Sequence, residues 1–306
     1  MPFENSTYLD AAAGLTLLMR ELEHIETRVR RQEFPDLKSQ ILIPLVSDVG
    51  PGDETTTHQV YTASGVAKFC ASNATVYPMV DIASELVTSR IHHSIQGTGY
   101  TLQELRAASK SSLPLDATRL IELRHTMEVL ADKTCFVGDA TMQIFGLLNH
   151  PNAIRQLAAY AMSGSTTAAQ ARATLDAALL AQINLTAGKG LPDTMILPRK
   201  VWQFLKNIYR QSTSNKTVLD EFLEANPEIK AVEIVEWMNV AQNGIGDFIV
   251  FYSSDPMHIG QIFPLGYTPG SPILEGVFYK ITAEMRHGGI KAYFPLYLNV
   301  IELPAS

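Results

Sequence analysis

The chain's stock of catalytic and ligand-binding side chains is ample, but its spacing is not that of any common reaction centre. The eight histidines are His24, His58, His92, His93, His125, His150, His258 and His287. No two of them stand four residues apart, so the His-Glu-x-x-His pattern that sets two imidazoles on one helix face is absent. His92 and His93 are adjacent; on a strand they point to opposite faces and cannot clasp one metal ion. Cys70 and Cys135 are the two cysteines, too few for a disulfide framework or a cysteine-based zinc ribbon. Ser163-Gly164-Ser165 lacks the Gly-x-Ser-x-Gly frame of a nucleophile elbow. Gly188-Lys189-Gly190 has neither the glycine spacing nor the following hydroxyl of a phosphate loop, and Gly97-Thr98-Gly99 lacks the third glycine of a dinucleotide fingerprint. Carboxylates are plentiful, but one sequence does not say which of them meet in space. The reading therefore assigns no catalytic, cofactor-binding or metal-binding residue, and no enzymatic activity.

Charge points away from a sequence-reading nucleic-acid binder. Lys and Arg total 24 against 31 Asp and Glu, a net charge of −7, whereas such binders draw affinity from a basic excess that displaces counterions from phosphates. The densest basic group is Arg28, Arg30 and Arg31, which reads as a solvated helix face. Only 18% of residues are charged and 46% are hydrophobic, which excludes disorder as the main state. No apolar run is long enough to span a bilayer, and no basic-then-apolar export signal opens the chain. The expectation is a protein made in a reducing cytoplasm, without membrane partners.

The elements that must position whatever function exists are legible in part. Leu15, Leu18, Leu22, Ile25 and Val29 recur at helical spacing within 8–33, and Pro35 ends that stretch. A turn at Gly50–Asp53 is followed by two β-rich segments, 55–72 and 76–96, joined by a small-residue tip at Cys70–Thr75. They predict a long hairpin, an element that is marginal in water unless something covers it. Gly97 and Gly99 read as a flexible joint. Thr101-Leu102-Gln103-Glu104 has capping-box spacing for a short helix to about Lys110. Pro114 and Asp116 suit the first turn of a long helix reaching Phe136, with Leu120, Leu123, Met127 and Leu130 as its apolar seam and Arg119–Glu122 and Arg124–Glu128 as outer-face pairs.

The remaining chain alternates. Thr167–Gln170 is a second capping box, opening a helix to about Asn184. Thr194–Leu197 is a short buried strand, Pro198 starts a helix, and Thr217 caps another that Pro227 stops. Val232–Trp237 and Phe248–Tyr252 read as strands. The long β runs Ile273–Arg286 and Ile290–Leu303, around Gly288-Gly289, predict a terminal hairpin.

That order of elements, together with the local segments Gly99–Ala108, Pro114-Leu115-Asp116, Gly146–Asn152, Pro192–Pro198, Arg286–Ile290 and Tyr293–Leu296, resembles the major capsid proteins of tailed bacteriophages, the Hong Kong 97 fold. The likeness runs from about residue 40 to the end. It implies an α+β fold with an N-terminal arm (1–50), an extended E-loop (51–98), a P-domain with the spine helix near 114–137 (99–149 and 266–306) and an A-domain (150–265). It further implies self-assembly into pentamers and hexamers of an icosahedral head around double-stranded DNA. The expected partners are other copies of the chain, a portal, a decoration protein in some cases, and DNA held without sequence preference. The expected place is the virion, with assembly in the bacterial host cytoplasm. About 40 residues precede the hairpin, so a separate scaffolding protein is expected rather than a fused one. Some members join subunits through a Lys–Asn isopeptide bond; Lys68 falls in the hairpin, and no partner for it is identified. Two alternatives are an encapsulin-type bacterial compartment shell with the same fold and a cytoplasmic α/β enzyme with an unrecognised site.

Overall fold

The computed structural model describes residues 37–67, 69, 79–111, 115–209 and 216–304. The expected helix at 8–33, the hairpin tip at 70–75, Lys68 and Pro114 lie outside the described residues.

A five-stranded mixed sheet forms the centre. Its order is β4 (Ile154–Leu157), β13 (Leu298–Leu303), β7 (Asp247–Tyr252), β5 (Thr194–Leu197) and β6 (Ala231–Ile234). β7 runs antiparallel to β13 and β5, while β4 and β6 lie parallel to their neighbours. β5 and β7 read as uninterrupted apolar runs because both faces of the sheet are covered. On one face Ile249, Phe251, Ile301, Met195 and Leu197 pack under the helices α4 (Ala168–Leu185), α5 (Arg199–Asn207) and α6 (Val218–Ala225). On the other, Val250, Tyr252, Ile196 and Val300 meet Cys135, Phe136, Leu147 and Met238. The helix starts follow the capping chemistry in the sequence. Thr167 and Gln170 form a reciprocal capping box on α4, and Thr217 accepts from the Asp220 amide on α6.

The spine helix α3 (Leu115–Phe136, 22 residues) is about 33 Å long at 1.5 Å per residue. It connects two layers. Leu123, Met127 and Ala131 pack on Ala283 and Met285 of β11 (Phe278–His287), and one turn later Cys135 and Phe136 enter the central core. Leu130 was expected in the seam but is exposed; after Met127 the buried face continues at Ala131, four residues on, as a 3.6-residue period requires. Asp132, buried near the junction, accepts from the backbone amides of Lys38 (3.1 Å) and Ser39 (2.7 Å) and from Trp237 Nε1 (2.7 Å). One carboxylate thus ties the spine to the single helical turn α1 (Ser39–Leu42) and to the turn after β6.

Three expectations fail on strand pairing. The terminal β runs do not form a hairpin. β11 pairs with β3 (His92–Thr101), β9 (Leu265–Pro269) and β10 (Ile273–Glu275), whereas β12 (Gly289–Ala292) pairs with β8 (Ile259–Ile262) and β13 joins the central sheet. The glycine pair turns the chain into another layer: Gly289 has φ 73°, and a Cβ there would lie 2.3 Å from the Phe145 carbonyl oxygen. The segment 76–96 is not one strand either. β2 (Asp81–Arg90) ends before the buried Ile91, and β3 belongs to the spine layer. Gly97 and Gly99 are therefore no joint; they sit inside β3 opposite Thr282 and Lys280. Gly99 is required by a close approach, since a Cβ would meet the Phe278 ring at 2.1 Å. The strand predicted at 232–237 is also shorter, ending at Ile234 before a 3-10 turn at Glu236–Met238.

Candidate assembly interface

β1 (Thr55–Ser64) and β2 pair over ten antiparallel register positions, from Thr55↔Arg90 to Ser64↔Asp81. Their Thr, Val, Ile and Tyr content favours extended backbone, and the Thr57–Thr88 hydroxyl pair (3.0 Å) links the strands across one face. Residues opposite one another share a face. One face thus carries Tyr61, Ile82 and Leu86, which are 66%, 64% and 68% exposed. Beyond the strands, Val66, Phe69, Met79 and Val80 are exposed as well. Along β2 Ser89 alone is buried. Among the described residues no layer covers the apolar side chains of this ribbon, which is the signature of a surface awaiting a partner.

The attachment of the ribbon is narrow. The Ile91 amide donates to the Glu54 carbonyl at 2.9 Å, closing the hairpin at its base. Arg286 Nη1 donates to the Pro51 carbonyl, and Lys291 Nζ donates to Thr56 Oγ1 at 3.1 Å. A second exposed apolar group, Ile273, Leu274 and Val277, lies on and beside the β10–β11 turn. The helix after β3 is anchored differently: Thr101 and Glu104 form the predicted capping box (2.9 and 3.1 Å), and Arg119 of the spine bonds Glu104 at 3.0 Å. The Arg119 hydrogen bond, then the Thr101 amide, hold the Glu104 carboxyl down at about 2. Arg124 and Glu128 pair at 2.7 Å, as their spacing predicts.

Among the described residues no three His, Cys, Asp or Glu side chains converge to hold a metal ion. His93 pairs with Glu284 at 3.0 Å on the surface, while His92 faces the opposite side of β3. Cys135 is buried and its thiol is pushed well up by burial and then by the Asp132 charge, the reverse of a nucleophile's setting. A groove of about 300 Å³ between β4 and α4 is lined by Leu157, Tyr160 and alanines, without an acidic or basic side chain.

A protein-family model described as "Major capsid protein" matches residues 65–299, well over half of the chain. The chain belongs to the major capsid protein family. Solved structures agree on the fold. The capsid of Myoviridae phage XM1 superposes with TM-score 0.82 at 15% identity, covering 93% of this chain and 98% of that one. The Mycobacterium phage Bobi structure gives TM-score 0.65 at 13% identity, covering 98% and 100%. The capsid of an empty GTA particle gives 0.62 at 13%, covering 99% and 100%. No curated protein matches by sequence. The α+β capsid fold expected from the resemblance is the fold observed, and this member of the family is a structural protein of the bacteriophage virion. The alternatives of a compartment shell and a motif-free enzyme are not favoured. In a capsid protein the surface that matters is the one copies share, and the hairpin face with Tyr61, Ile82 and Leu86 is the prime candidate. The sequence indicated the hairpin but not that face, although the i, i+4 spacing of Ile82 and Leu86 on a strand already puts both on one side.

Proposed function

We propose that this capsid protein assembles, as pentamers and hexamers, into a closed icosahedral head that encloses double-stranded DNA. Residues 1–50 act as an N-terminal arm, 51–98 as the E-loop, 99–149 and 266–306 with the spine helix as the P-domain, and 150–265 as the A-domain. The observation that carries the reading is the β1–β2 ribbon, ten register pairs long and apolar on a face that the described residues leave open. A neighbouring copy supplies that cover, and obligate assemblies of this kind bury on the order of thousands of Å². Other copies are therefore the principal partner; a separate scaffolding protein and a portal complete the assembly in the host cytoplasm. The net charge of −7 suits a container, since a strongly cationic wall would bind the genome tightly and resist its movement.

Negative-stain microscopy of the expressed chain, alone and with its phage's scaffolding protein, tests this directly. Closed particles with five-fold vertices are expected. A monodisperse monomer by light scattering under both conditions, at every concentration tried, would overturn the reading.

A further inference from the structure

The root of the hairpin rests on nitrogen-bearing side chains that have no ion-pair partner among the described residues. Lys291 on β12 is 2% exposed, donates to Thr56 Oγ1 and lies 5.1 Å from the centre of the Tyr293 ring. Among the described residues it has no carboxylate partner. His58 on β1 meets the same Tyr293 ring edge-on at 5.2 Å, and its Nδ1 is buried without a hydrogen-bond partner. His287, the last residue of β11, is 5% exposed and both its ring nitrogens are buried and unpartnered. Its register partner across the sheet is His92, whose Nε2 is likewise buried and unpartnered. Gly288, between these groups, lies so close under the hairpin that a Cβ there would come 2.7 Å from the Arg90 carbonyl oxygen.

Other charged and titratable groups adjoin this bed, and Arg286 Nε is itself buried without a hydrogen-bond partner. Arg286 holds the Pro51 carbonyl, and Glu284 is engaged with His93 on the outer face of the sheet. Asp48 acts on the Tyr293 hydroxyl, raising it in the same sense as burial does. His150, from the loop before β4, has its Nδ1 2.7 Å from the Pro151 carbonyl oxygen.

We infer that this cluster is a proton-operated clamp on the hairpin. With neutral imidazoles at 58 and 287 the root of β1–β2 closes over Lys291; acidification charges them, and the root swings off the body while both sheet cores remain folded. An unpartnered imidazole is tolerated when neutral, whereas an imidazolium buried beside an ammonium without a carboxylate paired to it is costly. Lifting the root admits water to His58, His287 and Lys291 together. The central cores offer no matching release, because aliphatic and aromatic side chains dominate them.

The titration runs in that direction. Burial, and then the Lys291 charge, lower His58. Burial, and then His92, lower His287 to about 4. Burial lowers His150 against the opposing pull of the Pro151 carbonyl. A histidine depressed in the closed state contributes its full share of closure above its open-state value of 6.5, and that share is lost as pH falls from there toward the closed-state value. At pH 5, His287 alone shifts the equilibrium toward opening about 30-fold, and His58 and His150 add to it with the same sign. The inference concerns the unassembled chain and stands or falls apart from the shell.

Hydrogen–deuterium exchange on the full, unassembled chain between pH 7.5 and 5, corrected for intrinsic rates, reads the clamp. Peptides covering 54–60 and 85–93 should lose protection about 30-fold or more, while those covering 247–252 and 298–303 hold theirs. His287→Phe, which fills the same space without a titrating nitrogen, should cut the acid response at least several-fold, and the double variant His58→Phe, His287→Phe should nearly abolish it. Equal loss in the core peptides, or an undiminished response in the double variant, would overturn the clamp. Should the phenylalanine variants fail to fold at pH 7.5, His287→Gln gives the same reading. NMR titration of the wild-type ring adds a check: a His287 that titrates at the ordinary histidine value contradicts the clamp.

Discussion

β7 and β2 are both apolar-rich strands, and they meet opposite fates. In β7 every residue from Phe248 to Tyr252 is buried, because helices cover one face of the central sheet and the spine end with its loops covers the other. In β2 the side chains of Ile82, Leu86 and Val87 remain open to solvent on both faces of a two-stranded ribbon. The difference is not in composition but in where burial is supplied. For β7 it comes from the same chain and stabilises the monomer; for β2 the described residues do not supply it, and under the proposed function another copy does, so that its apolar residues would act on association.

The contrast is sharpest where a core ring is removed. Phe251 is fully buried with Phe222 at a ring separation of 6.1 Å. Phe251→Ala should destabilise the monomer by about 3–5 kcal/mol, measured by urea denaturation, and should lower particle yield only through loss of folded protein. A loss under about 1 kcal/mol would place the core elsewhere.

Removing the Asp132 carboxylate tests the joint between layers. It accepts three hydrogen bonds and leaves the Trp237 indole N–H unpartnered when lost. Asp132→Ala should cost about 3 kcal/mol. Asp132→Asn, which keeps an acceptor, should recover part of it, and Trp237 fluorescence together with thermal unfolding reads both. Equal loss in the two variants would show that the acceptor geometry is irrelevant.

How far the sequence carries follows from the range of the interactions involved. Caps and the 3.6-residue seam are local, so Thr101–Glu104, Thr167–Gln170 and Leu123–Met127 were readable from spacing alone. Strand partners are not local. The Gly288-Gly289 pair carries the usual hairpin signal, yet its φ and its packing under Phe145 send the chain into a different sheet, a constraint set 144 residues earlier (Phe145 against Gly289). Gly99 looked like a hinge for the same reason: a glycine demanded by a distant phenylalanine ring is indistinguishable in sequence from one demanded by flexibility. The assembly surface was half legible. The alternation shows a hairpin, but that its apolar face stays uncovered is a property of everything that does not pack there. Lys291 gives no sign of burial in the sequence, since the β12–β8 pairing, the hairpin root and the Tyr293 ring meet around it in the fold.

The smallest expected effect on the fold is the most telling for the assembly. Tyr61→Ser, Ile82→Ser and Leu86→Ser, made together, change side chains that touch little within the monomer, so urea stability should move by less than about 0.5 kcal/mol per site. Under conditions in which the wild-type chain forms particles, sedimentation velocity should show this variant as folded, unassembled protein. Particles in wild-type yield from the triple variant would contradict the claim that the hairpin's open face is completed by a second copy.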